Sequence, residues 1–105
     1  MEQPNLSYIK ELAGDDTAFE QKFIAIIKEE FPLEVKEYMH KMKNDQPRAA
    51  AEIVHKLKHK FNILSLEKAY ILAVDYEEEL RLGHSELDNK FIAILKNIET
   101  YLKTI

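Results

Sequence analysis

The spacing of the apolar residues is the feature that most constrains this chain. They recur every three or four positions over most of its length, and at about 100° per residue such positions share one side of an α-helix. The breaks between the apolar stretches are only a few residues long, so consecutive helices are expected to lie antiparallel. We predict an all-α, up-down antiparallel four-helix bundle at about 17–43, 47–64, 66–82 and 85–102, with a short lead-in helix at 5–13.

Composition supports a small helical protein. The 105 residues are 46% hydrophobic and include two glycines, three prolines and no cysteine. Ala, Leu, Glu and Lys dominate, and all four favour helices. This length corresponds to one domain, residues 1–105. The absence of cysteine excludes disulfides, thiolate catalysis and cysteine-based zinc sites.

Charge and hydropathy bear on location and partners. A net charge of −4 disfavours a general nucleic-acid binder, which normally carries a basic patch. No apolar run approaches the ~20 residues of a membrane span, and the first residues lack the basic-then-apolar order of a signal peptide. We therefore expect a cytoplasmic protein that binds neither nucleic acid nor membrane. The complete four-helix complement favours a monomer.

The stretch Pro47–Leu66 predicts a helix that presents a histidine to solvent. Its apolar residues fall on one arc roughly 100° wide, and His55 lies roughly 150° from the middle of that arc. A neutral imidazole on an outer face is a competent nucleophile near pH 7. The expected neighbours of His55 on this face are Arg48, Ala51, Lys58, His59 and Asn62.

These residues resemble the core of histidine-containing phosphotransfer (HPt) domains, where a helix carries His-x-Leu-Lys-Gly. The string at 55–58 is His-Lys-Leu-Lys, and the resemblance covers nearly the whole chain. It departs from the family at His59, which takes the glycine position, and at Asn62 and Ser65, which take later small positions. The following helix matches at Ala73, at Tyr76-Glu77 (often Leu-Glu in the family), at Arg81 and at Gly83.

The resemblance implies a phosphocarrier of a two-component phosphorelay. His55 would accept a phosphoryl group from a receiver-domain aspartate and pass it to another receiver. The implied partners are receiver domains of response regulators and of hybrid histidine kinases. The receiver would hold the magnesium ion, so the chain would need no cofactor of its own. Without an ATP-binding domain it would not be a kinase.

The predicted site extends around His55. Lys58, one turn on, can donate to the phosphoryl oxygens and offset their charge. Lys56 is about 100° round the helix and would tune the local field. We predict that the receiver docks on Ala51, Lys56, His59 and Asn62, with Lys58 and exposed parts of segment 33–38.

Some features admit more than one interpretation. His59 could be a second acceptor, a hydrogen-bond partner of the phosphoryl group or an inert surface residue. The i, i+4 pair of His55 and His59 also suits a transition metal, but no carboxylate shares that face within the same two turns, so no metal site is predicted. Basic residues at 48, 56, 58 and 60 serve solubility or steer the helix toward an acidic receiver pocket. The glutamates at 77–79 predict a solvated face.

Two alternative functions remain. The first is a non-catalytic helical adaptor that binds receiver or kinase domains without phosphotransfer. Such a protein would take up no phosphate, and its binding would survive His55→Gln. The second is a histidine kinase dimerisation fragment, which needs an ATP-binding domain that this sequence lacks.

Overall fold

The computed structural model describes residues 2–105 and shows an all-α protein. A short first helix precedes four longer ones that pack antiparallel. The predicted bundle with its lead-in helix is therefore confirmed. In chain order the helices are α1 (Ser7–Ala13), α2 (Thr17–Lys43), α3 (Pro47–Ile63), α4 (Glu67–Arg81) and α5 (Asp88–Leu102).

Four aromatic rings, one from each long helix, form the centre of the core. The ring centroid of Phe91 on α5 lies 5.1 Å from Tyr38, 5.6 Å from Phe61 and 5.0 Å from Tyr76. The hydroxyls of Tyr38 and Tyr76 hydrogen-bond each other at 2.6 Å, so the buried polar atoms are satisfied. Burial raises the pKa of Tyr76 to about 12. The cluster joins α2 and α5 to the hairpin formed by α3 and α4.

Helix α2 continues through Pro32 in a single register. The offset between apolar residues before and after this proline predicts a helix that is kinked or re-phased there. The structure instead buries Ile24, Ile27, Phe31 and Tyr38, which are three, four and seven positions apart and therefore share one stripe. The predicted change of register is wrong because it counts Phe19 as an inward residue, whereas Phe19 is 43% exposed.

A carboxylate from outside the helix accepts one backbone N–H at the start of α4 and another at the start of α5. Ser65 and Ser85 are predicted as caps of these helices, but neither caps in the structure. The backbone N–H of Ala69 instead donates to Glu2 Oε1 at 2.7 Å, and that of Leu87 donates to Glu79 Oε1 at 2.9 Å. Over residues 2–105, no helix is both long and apolar enough to cross a bilayer.

Candidate functional site

His55 lies near the middle of α3 and meets the neighbouring helix α4 through one ring nitrogen. Its side chain is 48% exposed. Nδ1 lies 3.2 Å and 3.3 Å from the two carboxylate oxygens of Glu77. The register of the hairpin produces this contact, since α3 and α4 are antiparallel and separated only by residues 64–66. Within residues 2–105, Nε2 has no hydrogen-bond partner.

Glu77 is the centre of a charged network between α3 and α4. Although only 8% exposed, its carboxylate accepts from Lys58 Nζ at 2.9 Å and from Arg81 Nη2 at 2.8 Å. Arg81 also donates through Nη1 to Glu52 at 2.9 Å. Burial alone would raise the pKa of Glu77, but hydrogen bonds from Lys58, Arg81 and His55 lower it to about 2. Glu77 is therefore ionised at neutral pH.

The ionised carboxylate decides which nitrogen of His55 carries the proton. A carboxylate can only accept hydrogen bonds, so Nδ1 must be the donor. In the neutral ring, Nε2 then holds the free lone pair. A nucleophile whose tautomer is set by an adjacent acceptor is a recurring arrangement in group transfer. The site can therefore attack an electrophilic centre through Nε2, and Glu77 stabilises the positive charge that develops on the ring.

The role of Glu77 is not evident from the sequence. The solvated face predicted for 77–79 is wrong at Glu77, which is buried against α3. One indication is that Glu77 directly follows the buried Tyr76. The three-residue turn between α3 and α4 then brings Glu77 level with His55. Only the register across that turn distinguishes it from the exposed Glu78.

The state of Glu77 predicts how stability depends on pH. Its pKa of about 2 lies below the ordinary value of 4.5, so the stability it contributes is present above pH 4.5 and is lost as pH falls toward 2. We expect Glu77→Gln to lose less stability than wild type over this range, because glutamine does not titrate. Urea unfolding midpoints at pH 6, 4 and 3 measure the difference. If the urea midpoints of wild type and Glu77→Gln fell equally with pH, this role of Glu77 would be contradicted.

Lys58 is placed differently from its predicted role. Its side chain is only 13% exposed, and its amine is bonded to Glu77 rather than free beside the ring of His55. Lys58 therefore supports the orienting carboxylate directly. A contact with phosphoryl oxygens requires the amine to leave Glu77 or bridge both groups, and that contact stays a prediction.

Ala51 is not on the outer face, which corrects its predicted place in a docking surface. It is 0% exposed. Helix α3 packs against both α2 and α4, so its buried arc is wider than the apolar stripe alone indicates. Ala51 lies seven residues before Lys58 and hence on nearly the same side, which faces α4. An Ala51→Glu substitution would therefore disrupt the packing of α3.

The other predicted docking residues lie at the surface. Lys56, His59 and Asn62 are exposed. The rings of His55 and His59 are in edge contact, with centroids 5.0 Å apart and planes at 85°. Lys60, counted among the steering charges, is instead buried and bonded to carboxylates of α2, Glu30 and Glu34, each at 3.0 Å. The basic surface of α3 is therefore smaller than its sequence indicates.

Comparisons with known proteins add no further constraint on the site. No family model, curated protein or solved structure matches this chain. Within residues 2–105, no three histidine, aspartate or glutamate side chains converge closely enough to hold a metal ion. The motif around His55 and the geometry of its contacts are therefore the features that indicate a function.

Proposed function

We propose that this protein is a histidine phosphotransfer protein of a two-component phosphorelay. It accepts a phosphoryl group on His55 from a receiver-domain aspartate and passes it to a second receiver. The observation that supports this most is the hydrogen bond from the exposed ring of His55 to the buried, ionised Glu77. That pairing fixes a nucleophilic nitrogen at the surface, where a second protein can reach it.

The transfer step follows from this arrangement. The lone pair of Nε2 attacks the phosphorus of the aspartyl phosphate, and the bond from phosphorus to the aspartate oxygen breaks. The aspartate leaves as a carboxylate and needs no proton. The His55 ring keeps its proton on Nδ1, and Glu77 stabilises the resulting positive charge. Transfer to the next receiver is the same step in reverse, with Mg²⁺ expected on the receiver.

The exposed residues around His55 define where a receiver would dock. Lys56, His59 and Asn62 share the solvent-facing side of α3 with it, and Glu52 lies one turn earlier. We propose that this ridge, without Ala51, contacts the receiver. Lys56, exposed on this ridge, supplies a positive charge for an acidic receiver surface.

Transfer of labelled phosphate from a phosphorylated receiver tests the proposal. We expect acid-labile, base-stable label on wild type, His59→Gln and His40→Gln, and none on His55→Gln. His40 is a matched control because it is exposed on α2. Label persisting on His55→Gln would overturn the assignment of the acceptor.

A second outcome distinguishes the carrier from an adaptor. If wild type takes up no label from any of several receivers yet binds one of them, and His55→Gln binds equally well, the carrier proposal fails. The protein would then be a non-catalytic helical adaptor. Binding measured by calorimetry for both proteins provides this comparison.

A further inference from the structure

A second imidazole lies directly beside the proposed acceptor. His59 follows His55 by four residues, so the two side chains are neighbours on the same face of α3. Their ring centroids are 5.0 Å apart and the ring planes are close to perpendicular. His59 is exposed, and within residues 2–105 its ring nitrogens make no hydrogen bond. Its donors are available to a group attached to His55.

Two of the cations near His55 are already paired. Lys58 is bonded to Glu77, and Arg81 divides its guanidinium between Glu77 and Glu52. A phosphoryl group on a side chain adds close to two negative charges and three acceptor oxygens. Lys56 has no ion pair within residues 2–105, but it lies about 100° round α3 from His55. His59 lies about 40° round, and its ring is in edge contact with that of His55. His59 is therefore the closer side chain that can meet this charge without breaking an ion pair.

We infer that His59 binds the phosphoryl group on Nε2 of His55 by donating a ring N–H to one of its oxygens. This rests on the proposed function and adds a contact to it. A protonated imidazole is the stronger donor, because its positive charge adds Coulomb attraction to the negative phosphoryl oxygens. Histidine changes charge between about pH 5 and 8. Protonated His59 therefore stabilises the phosphorylated state at the acidic end of this range. This stabilisation weakens as pH rises.

The other charged groups around His55 and His59 do not produce this pH dependence. They come from the three helices α2, α3 and α4, and most are already matched with one another across the helix interfaces. All of them are carboxylates, lysines or an arginine, and none is a histidine. They are Glu30 and Glu34 on α2, Glu52, Lys56, Lys58 and Lys60 on α3, and Glu77 and Arg81 on α4.

Reciprocity gives a direct test. If protonated His59 stabilises the phosphoryl group, phosphorylation must favour the proton on His59 by the same factor. We expect a factor of about five, which corresponds to about 1 kcal/mol of attraction between two charges close together at the surface. The pH midpoint of the His59 ring signal in NMR should then rise by about 0.7 on phosphorylation. His40 and His84, exposed on other parts of the protein, are internal controls and should not shift.

Phosphoramidate, a small chemical donor, serves as the phosphorylating probe, so no receiver is needed. We also expect His59→Gln to lose its phosphoryl group about five times faster than wild type at pH 6.5. His59→Lys, which keeps a positive charge, should restore the lifetime at both pH 6 and pH 8.

The outcomes separate this inference from the proposed function. Phosphorylated His55 with an unmoved His59 signal, or with equal lifetimes in wild type and His59→Gln, overturns the inference alone. Failure of phosphoramidate to modify His55 overturns the proposed acceptor. Phosphorylation of His59 instead of His55 overturns both.

Discussion

Glu77→Ala is expected to slow phosphoryl uptake by His55 about a hundredfold while leaving the ring at the surface. The substitution removes the acceptor that holds the proton on Nδ1, so Nε2 is no longer fixed as the nucleophilic nitrogen. It also removes the negative charge that stabilises the ring during transfer. Losses of this size are typical when a group that orients or assists proton placement is removed. Initial rates of label transfer from a receiver give the measurement.

Two further variants make the Glu77 result interpretable. Glu77→Gln keeps an oxygen that can accept from Nδ1 but loses the charge, so we expect a smaller loss of rate. Glu78→Ala removes the adjacent, exposed glutamate of the same helix and should transfer at the wild-type rate. A folded Glu77→Ala protein that also transfers at the wild-type rate would show that the His55–Glu77 contact does not assist the chemistry.

Phe91→Ala is expected to lower the free energy of unfolding by about 3–5 kcal/mol. Its ring contacts one aromatic ring from each of the other three long helices, so the cavity lies where all four meet. Since small domains are stable by only about 5–15 kcal/mol, the variant should be close to its unfolding threshold. Urea denaturation followed by circular dichroism measures the change.

Phe19→Ala is the matched control for this loss. The same side chain is removed, but Phe19 lies near the start of α2 and is 43% exposed. We expect a cost below about 1 kcal/mol, as for most exposed positions. Equal losses in the two variants would contradict the central place of Phe91 in the core.

The helices are predictable from sequence because their signals are local and repeated. The apolar spacing places the central helix at 47–64, and the structure has α3 at Pro47–Ile63. The proline at its first position is a local start signal. The caps of α4 are not predictable in this way. Ala69 finds its acceptor in Glu2, which lies 67 residues earlier, and no local pattern carries that information.

Some residues of the site are also predictable from local signals, and others are not. The exposure of His55 follows from its angle on one helix. The burial of Ala51 and Lys60 depends on how closely α2 and α4 approach both sides of α3, which the sequence of α3 does not contain. Glu77 is a similar case, since its contact with His55 requires the register between two helices. The sequence therefore predicts the positions that are set by the geometry of one helix. It does not predict the contacts that depend on how two helices pack.

The unequal lengths of α2 and α3 divide the molecule into parts that can open separately. α2 has 27 residues and α3 has 17. At about 1.5 Å per residue, the extra ten residues carry α2 roughly 15 Å past the end of its antiparallel neighbour. Of these projecting residues, roughly 17–26, only Ile24 is buried. Segments with few buried contacts exchange their amide hydrogens through local unfolding. The projecting end can therefore open and reclose while the α3–α4 hairpin holds His55 against Glu77.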